Sequence, residues 1–176
     1  GGLLITLFVV FIAGMLGWIL ERVTLISTPL ASTCGSLILV ISLASTLAAK
    51  SLYESVLAVL KVLPAETEIS NLEIARKQLS KIVGRNVWHL DRSEILRALA
   101  ETSSENAVDG VFAPLFWMSA GATLWLFSTA LPGPLSLALA FKASSTIDSM
   151  LGYRVGRKKW LGTAGARLDD GLTWVP

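Results

Sequence analysis

Charge is scarce in this sequence. Only 16% of its 176 residues are Asp, Glu, Lys or Arg, against about 25% in an ordinary soluble domain. The shortage comes in blocks. Leu3–Leu20, Leu37–Ala49 and Val111–Leu131 contain no charged residue, which is the pattern of a polytopic membrane protein in contact with lipid. A net charge of +2 is too small to argue for nucleic acid as a partner. Cysteine occurs once, as Cys34, which excludes an internal disulfide. Histidine also occurs once, as His89, with no second His and no Cys near it. No Ser-His-Asp or Cys-His nucleophile can be assembled around it. There is no Walker A motif and no strand–helix G-x-G-x-x-G fingerprint. The chain starts Gly-Gly without Met, which reads as a fragment of a longer protein. Leu3–Leu20 has no basic segment before it and no small-x-small site after it, so it is not read as a cleaved signal peptide.

What is there predicts an all-α fold: a polytopic helical membrane protein with a cytoplasmic helical hairpin between spans. Residues 1–64 should hold two membrane helices. The first is Leu3–Leu20, with Trp18 at interface depth. Glu21-Arg22 and Ser27–Ser36 read as a short loop. The second helix starts at Leu37 and continues unbroken to Leu63, with Pro64 ending it. Residues 65–110 differ in kind. Ser70-Asn-Leu-Glu73 and Asp91-Arg-Ser-Glu94 are capping-box patterns, with Ile69/Ile74 and Leu90/Ile95 placed as staples. Leu72, Ala75, Leu79 and Ile82 mark an apolar face, and Gly84 is a fitting stop. Residues 111–148 should hold a third span, Val111–Leu131, and a short fourth helix, Leu135–Ile147. That fourth helix is open between a short span, a re-entrant segment and a buried helix. Residues 149–176 read as a polar, basic, Gly-rich cytoplasmic tail. Arg76, Lys77, Lys81, Arg85, Arg92 and Arg97 load the hairpin, and Arg154, Arg157, Lys158, Lys159 and Arg167 load the tail. The positive-inside rule therefore puts both in the cytoplasm.

Three acidic segments adjoin apolar sequence, where a carboxylate without a partner is costly. They are Glu101–Asp109, Thr146–Tyr153 and Ala166–Asp170, and they are expected to form one site at a membrane surface. Glu101 and Glu105 stand at i and i+4 and share a helix face. The plain alternative is a solvated face with Arg97 paired to Glu101. Two or three carboxylates at one helix end suit Mg²⁺, which takes oxygen ligands and bridges to phosphate. Glu105, Asp109, Asp169 and Asp170 are the candidate metal ligands. Lys142 lies seven residues into an apolar run. It is either a snorkelling cation or part of a site. Asp148 is six positions on, on a different side of a regular helix. Gly152–Gly156 and Leu161–Gly165 could be phosphate-contacting loops with Arg154 as a counter-charge, or simply a basic membrane-surface loop.

Several of these stretches stand in the order and spacing of a known family. They are Ser80-Lys-Ile-Val-Gly-Arg85, Ala100-Glu-Thr-Ser-Ser-Glu-Asn-Ala-Val-Asp-Gly-Val-Phe-Ala-Pro-Leu-Phe116, Phe141-Lys142-Ala143, Thr146-Ile-Asp-Ser-Met-Leu-Gly-Tyr153 and Ala166-Arg-Leu-Asp-Asp170. The chain resembles the CobD/CbiB family of membrane-bound adenosylcobinamide-phosphate synthases of cobalamin biosynthesis, over roughly Ser80 to Pro176. Before Ser80 it is similar in hydropathy only. Gly165 stands where the family usually has Ser. The resemblance implies a fragment of an ATP-dependent amide-forming ligase. Such an enzyme joins aminopropanol, or its phosphate, to the propionate carboxyl of adenosylcobyric acid. It further implies Mg²⁺ and ATP, a corrinoid substrate, and a complex with other cobalamin-biosynthesis proteins. Glu101, Glu105, Lys142 and Asp148 would be catalytic, and Asn106, Tyr153, Arg154 and Arg167 would bind substrate. The alternative is a non-catalytic membrane sensory protein of the AmpE type. That group should lack the paired Asp-Ser-Met-x-Gly-Tyr and Ala-Arg-Leu-Asp-Asp motifs present here.

Overall fold

The computed structural model describes residues 2–26, 29–64, 71–151 and 159–174. These residues form eight α-helices and no strand. The chain divides into two compact units, Gly1–Leu47 with Val111–Pro176, and Ala48–Gly110.

The first unit contains α1 (Gly2–Thr24), α2 (Pro29–Thr46), α6 (Ala113–Phe127), α7 (Pro134–Leu151) and α8 (Lys159–Trp174). Helix α7 is its centre and packs on α1, α2, α6 and α8. Leu135, Ala138, Phe141 and Ile147 are buried, and so are the polar Ser136 and Ser144. Small residues let α1 and α7 approach closely. A Cβ on Gly17 would lie 2.6 Å from the Ser136 Cα, and the Ser136 hydroxyl donates to the Gly14 carbonyl at 2.8 Å. Small interfacial residues and interhelical hydrogen bonds of this kind hold helices together where lipid removes the hydrophobic drive. The outer surface is apolar. Leu4, Phe8 and Phe11 on α1, Leu30 and Ile41 on α2, and Leu126 and Phe127 on α6 are all exposed. Three stretches, Gly2–Thr24, Ser32–Leu60 and Arg92–Phe127, are long and apolar enough to cross a membrane. This is a helical membrane protein.

The second unit contains α3 (Ala49–Leu60), α4 (Glu73–Leu79) and α5 (Arg92–Ala107) around one core. Val59, Ala75, Leu79, Val87, Ile95, Ala98 and Leu99 are buried there, with Leu72 and Ile82 packed against them. At the start of α5 the expected capping box is complete. The Asp91 carboxylate accepts the Glu94 amide at 2.8 Å, and the Glu94 carboxylate accepts the Asp91 amide at 2.8 Å. Leu90 and Ile95 are both buried, as a staple requires.

Several expectations change. The long helix Leu37–Leu63 is broken at Leu47-Ala48, because the Ala48 amide donates to the Gly110 carbonyl at 2.8 Å instead of to its own helix. Gly110 lies in a π turn, Val108–Phe112, where the widened ladder can release a carbonyl. Helix α1 runs on through Glu21 and Arg22, and α2 begins at Pro29, so the expected loop between them is much shorter. Ser70 and Ile69 lie outside the described residues. Helix α4 starts at Glu73 with Asn71 accepting the Glu73 amide at 2.8 Å, and Ile74 is exposed rather than stapled. That helix ends at Leu79, ahead of Gly84. Residues 161–165 are helical, within α8, and do not form a loop.

Candidate functional site

The acidic run Glu101–Asp109 belongs to the smaller unit. Glu101 is engaged by two arginines, Arg97 at 2.9 Å and Arg85 at 3.0 Å, all three exposed. The plain pairing of Arg97 with Glu101 is therefore present, and Arg85, sixteen residues back, adds to it. The two arginines and Glu101 line a polar cleft of about 410 Å³ together with Asn86, His89 and Glu94. Glu105 and Asn106 are exposed at the end of α5, and Asp109 is half-buried in the π turn.

The other candidates lie in the larger unit. Lys142 is half-buried at mid-length of α7. Among the described residues it is the sole charged one lining a groove of about 510 Å³ formed by Ile5, Val9, Ala13, Leu139, Ile147 and Met150 among others. No carboxylate of the described residues forms an ion pair with it. One turn and a half further along, α7 meets α8. A Cβ on Gly165 would lie 3.0 Å from the Ile147 side chain, 3.7 Å from the Asp148 amide and 3.8 Å from the Thr6 hydroxyl of α1. The glycine lets the α8 backbone approach α7 beside Asp148. Asp169 follows one helical turn later and is buried, while Arg167 and Asp170 are exposed. Trp117 of α6 fixes the far end of α8 through its indole N–H, which donates to the Leu172 carbonyl at 3.1 Å. Thus Asp148 and the Ala166–Asp170 segment are neighbours across one helix pair. Tyr153, Arg154 and the whole of Gly152–Gly156 lie outside the described residues.

Among the described residues, no three His, Cys, Asp or Glu side chains gather to hold a metal ion. A Mg²⁺ ion needs fewer. It binds through one or two carboxylates and completes its shell with water and phosphate oxygens. Glu105 with Asp109 on one helix, or Asp169 with Asp170 on the other, provide that many acidic groups.

Sequence pattern assigns Glu21 to a loop, and the structure places it in α1. It is fully buried, and its carboxylate accepts the amides of Gly133 at 2.9 Å, Leu135 at 2.7 Å and Ser136 at 3.1 Å. It thus supplies the missing acceptors at the start of α7 from a different helix. Trp18 and Arg22, on adjacent turns of α1, tie down the same corner. The Trp18 indole donates to the Ala130 carbonyl at 3.1 Å, Arg22 donates to the Leu131 carbonyl at 3.1 Å, and the guanidinium lies 4.7 Å from the Trp18 ring centroid. The available signal was a carboxylate at the end of an 18-residue apolar run, where a charge must find a partner.

A family model described as CobD/Cbib protein matches residues 1–176. The chain belongs to the CobD/CbiB family. The match includes the residues before Ser80, where the resemblance rests on hydropathy alone. Three curated relatives each bear the name Cobalamin biosynthesis protein CobD. The relative from Synechocystis sp. is 38% identical over 175 residues, covering 99% of this chain and 48% of its own length. That from Pelobacter propionicus is 40% identical over 150 residues, 85% of this chain and 42% of the relative. That from Halalkalibacterium halodurans is 42% identical over 142 residues, 81% of this chain and 40% of the relative. This CobD/CbiB chain therefore spans about half, or less, of the length of the curated relatives it matches. No solved structure matches it.

Proposed function

We propose that this CobD/CbiB chain is part of a membrane enzyme of cobalamin biosynthesis. Its reaction would be the amide ligation of aminopropanol, or its phosphate, to the propionate carboxyl of adenosylcobyric acid. The observation that carries this reading is the family match along all 176 residues. The chemistry asks for an activated carboxyl, formed at the expense of ATP, and for an amine freed of its proton. Mg²⁺ would shield phosphate charge, held by Glu105 and Asp109 or by Asp169 and Asp170. Lys142, an ammonium in an apolar groove, would meet an anionic part of the substrate, since a charge at that depth needs a counter-charge. Asp148 would accept a proton from the amine at the α7–α8 contact. Glu101 would hold Arg85 and Arg97 in place for an anionic group, with Asn106 and Arg167 contributing polar contacts to the corrinoid.

The test uses the purified full-length protein in detergent with adenosylcobyric acid, aminopropanol phosphate, ATP and Mg²⁺. Mass spectrometry should find the amide product, and it should vanish when either ATP or Mg²⁺ is omitted. Turnover without ATP, or no turnover and no corrinoid binding by the intact protein, would refute the ligase reading.

A further inference from the structure

The contact between α1 and α7 can be repeated one turn away. On α7, Ser136, Ala140 and Ser144 recur every four residues, and the first two face Gly14 and Gly17 of α1. At present a Cβ on Gly14 would lie 3.6 Å from the Ala140 Cβ, and Gly17 sits on the Ser136 backbone. Sliding α7 by four residues, about 6 Å at 1.5 Å per residue, would set Gly17 on Ala140 and Gly14 on Ser144. The small-residue packing would survive nearly unchanged. Lipid tails do not oppose such a slide, because they are as apolar as the interface they replace. The Gly14 and Gly17 contacts alone therefore leave the axial position of α7 on α1 open, and polar contacts at the start of α7 must fix it, the Trp18 and Arg22 bonds to the Ala130 and Leu131 carbonyls among them.

The Glu21 carboxylate has no such degeneracy. Its three donors, the amides of Gly133, Leu135 and Ser136, occur only where α7 begins. A slide of one turn would strip all three from a fully buried carboxylate. Inside a helix those amides would have been taken by preceding carbonyls, so no other turn of α7 offers replacements. We propose that Glu21 is a positioning residue that selects one axial register of α7 on α1. It thereby sets the height of Lys142 in its groove and of Asp148 at the α8 contact. The register claim stands without the ligase reading, while its consequence for Lys142 and Asp148 rests on it.

The experiment reads the register directly. In the full-length membrane protein with Cys34 and every other native cysteine replaced by Ser, the pair Gly14→Cys with Ala140→Cys should form a disulfide readily, since its Cβ separation falls in the disulfide range. The pair Gly14→Cys with Ser144→Cys, one turn off, should not. Adding Glu21→Ala should lower the first cross-link and raise the second. Glu21→Gln, which keeps the size but turns an amide donor toward backbone donors, should do the same to a smaller extent. A merely structural role would reduce the amount of inserted protein without creating the displaced cross-link. Retention of the Gly14–Ala140 cross-link alone in both variants would overturn the proposal. Loss of both variants from the membrane would overturn it too, by making Glu21 a folding residue only. None of these readings depends on catalysis.

Discussion

At the scale of single residues, close contacts decide what each position tolerates. Gly17 has backbone, not a flexible side chain, where a Cβ would go, 2.6 Å from the Ser136 Cα. Gly17→Ala must push α1 and α7 apart, and overpacking of this kind costs about 1–3 kcal/mol or more. Thermal unfolding of the full-length protein in detergent should show a clear drop for Gly17→Ala. Exposed Gly171, which has open space around it, should tolerate Ala. Gly165 is the opposite case. Its tightest neighbour is the Ile147 methyl at 3.0 Å, and the Thr6 hydroxyl beyond it is buried without a hydrogen-bond partner among the described residues. Gly165→Ser offers that hydroxyl a partner, whereas Gly165→Ala adds the same Cβ and offers none. The serine variant should therefore be the more stable of the two, by about the 0.5–1.5 kcal/mol of one hydrogen bond. Equal melting temperatures would remove the Thr6 argument. Lys142→Met keeps the length and apolar stem but removes the charge. On the ligase reading it should abolish turnover while leaving insertion intact, and unchanged kinetics would reduce Lys142 to a snorkelling cation.

Among the elements, α5 carries its start signal in four residues. The Asp91 carboxyl is held below its ordinary value of 3.8, first by the Glu94 amide and then by the Ser93 hydroxyl. A depressed carboxylate stabilises the fold above its unfolded value, and the gain is lost as pH falls through the folded one. Protection against hydrogen exchange in the first turn of α5, taken relative to the intrinsic rate at each pH, should therefore be constant near neutrality and fall only in acid, below about pH 4, where an Asp carboxyl takes up its proton. Asp91→Asn still caps but does not titrate, so it should flatten that dependence. The break between α2 and α3 has a different origin. Nothing in Leu47-Ala48 disfavours helix. The break comes from the Gly110 carbonyl, sixty-two residues on, accepting the Ala48 amide. Gly110 also sits close to Ala48, where a Cβ would come within 3.1 Å of the Ala48 side chain.

For the whole molecule, the charge distribution predicts which side each part faces. The Lys/Arg excess in residues 65–110 and 149–176 predicts that both face the cytoplasm. Cysteines placed in either segment of the full-length protein should resist a membrane-impermeant reagent applied to intact cells. A cysteine at Ala130, in the turn that Trp18 grips, should be labelled. Labelling of residues 65–110 or 149–176 from outside would separate the acidic segments and end the idea of a shared site. The smaller unit has its own buried core of Val59, Leu79, Val87 and Ile95. Leu79→Ala should cost about 2–5 kcal/mol there, as large-to-small core changes do, and increase proteolysis within Ala48–Gly110.

Sequence by itself determined the helical membrane class, the capped start of α5, the core face Ala75–Leu79 and the family motifs. Each of these is a local signal: an uncharged run, a four-residue box, a 3.6-residue period or a fixed string. Tertiary structure decided the rest. Glu21 looked like a loop residue because its three donors lie 112 to 115 positions away. Residues 161–165 looked like a flexible loop because their glycines suit one. In the fold, Gly165 serves instead to bring α8 against Ile147 and Asp148. Helix α7 looked too short and too interrupted by Lys142 to be classified, and it became the centre because four other helices cover it. In each case the deciding partner is remote in the chain, and no periodicity or cap in a single sequence encodes which distant amide, carbonyl or small side chain will be there.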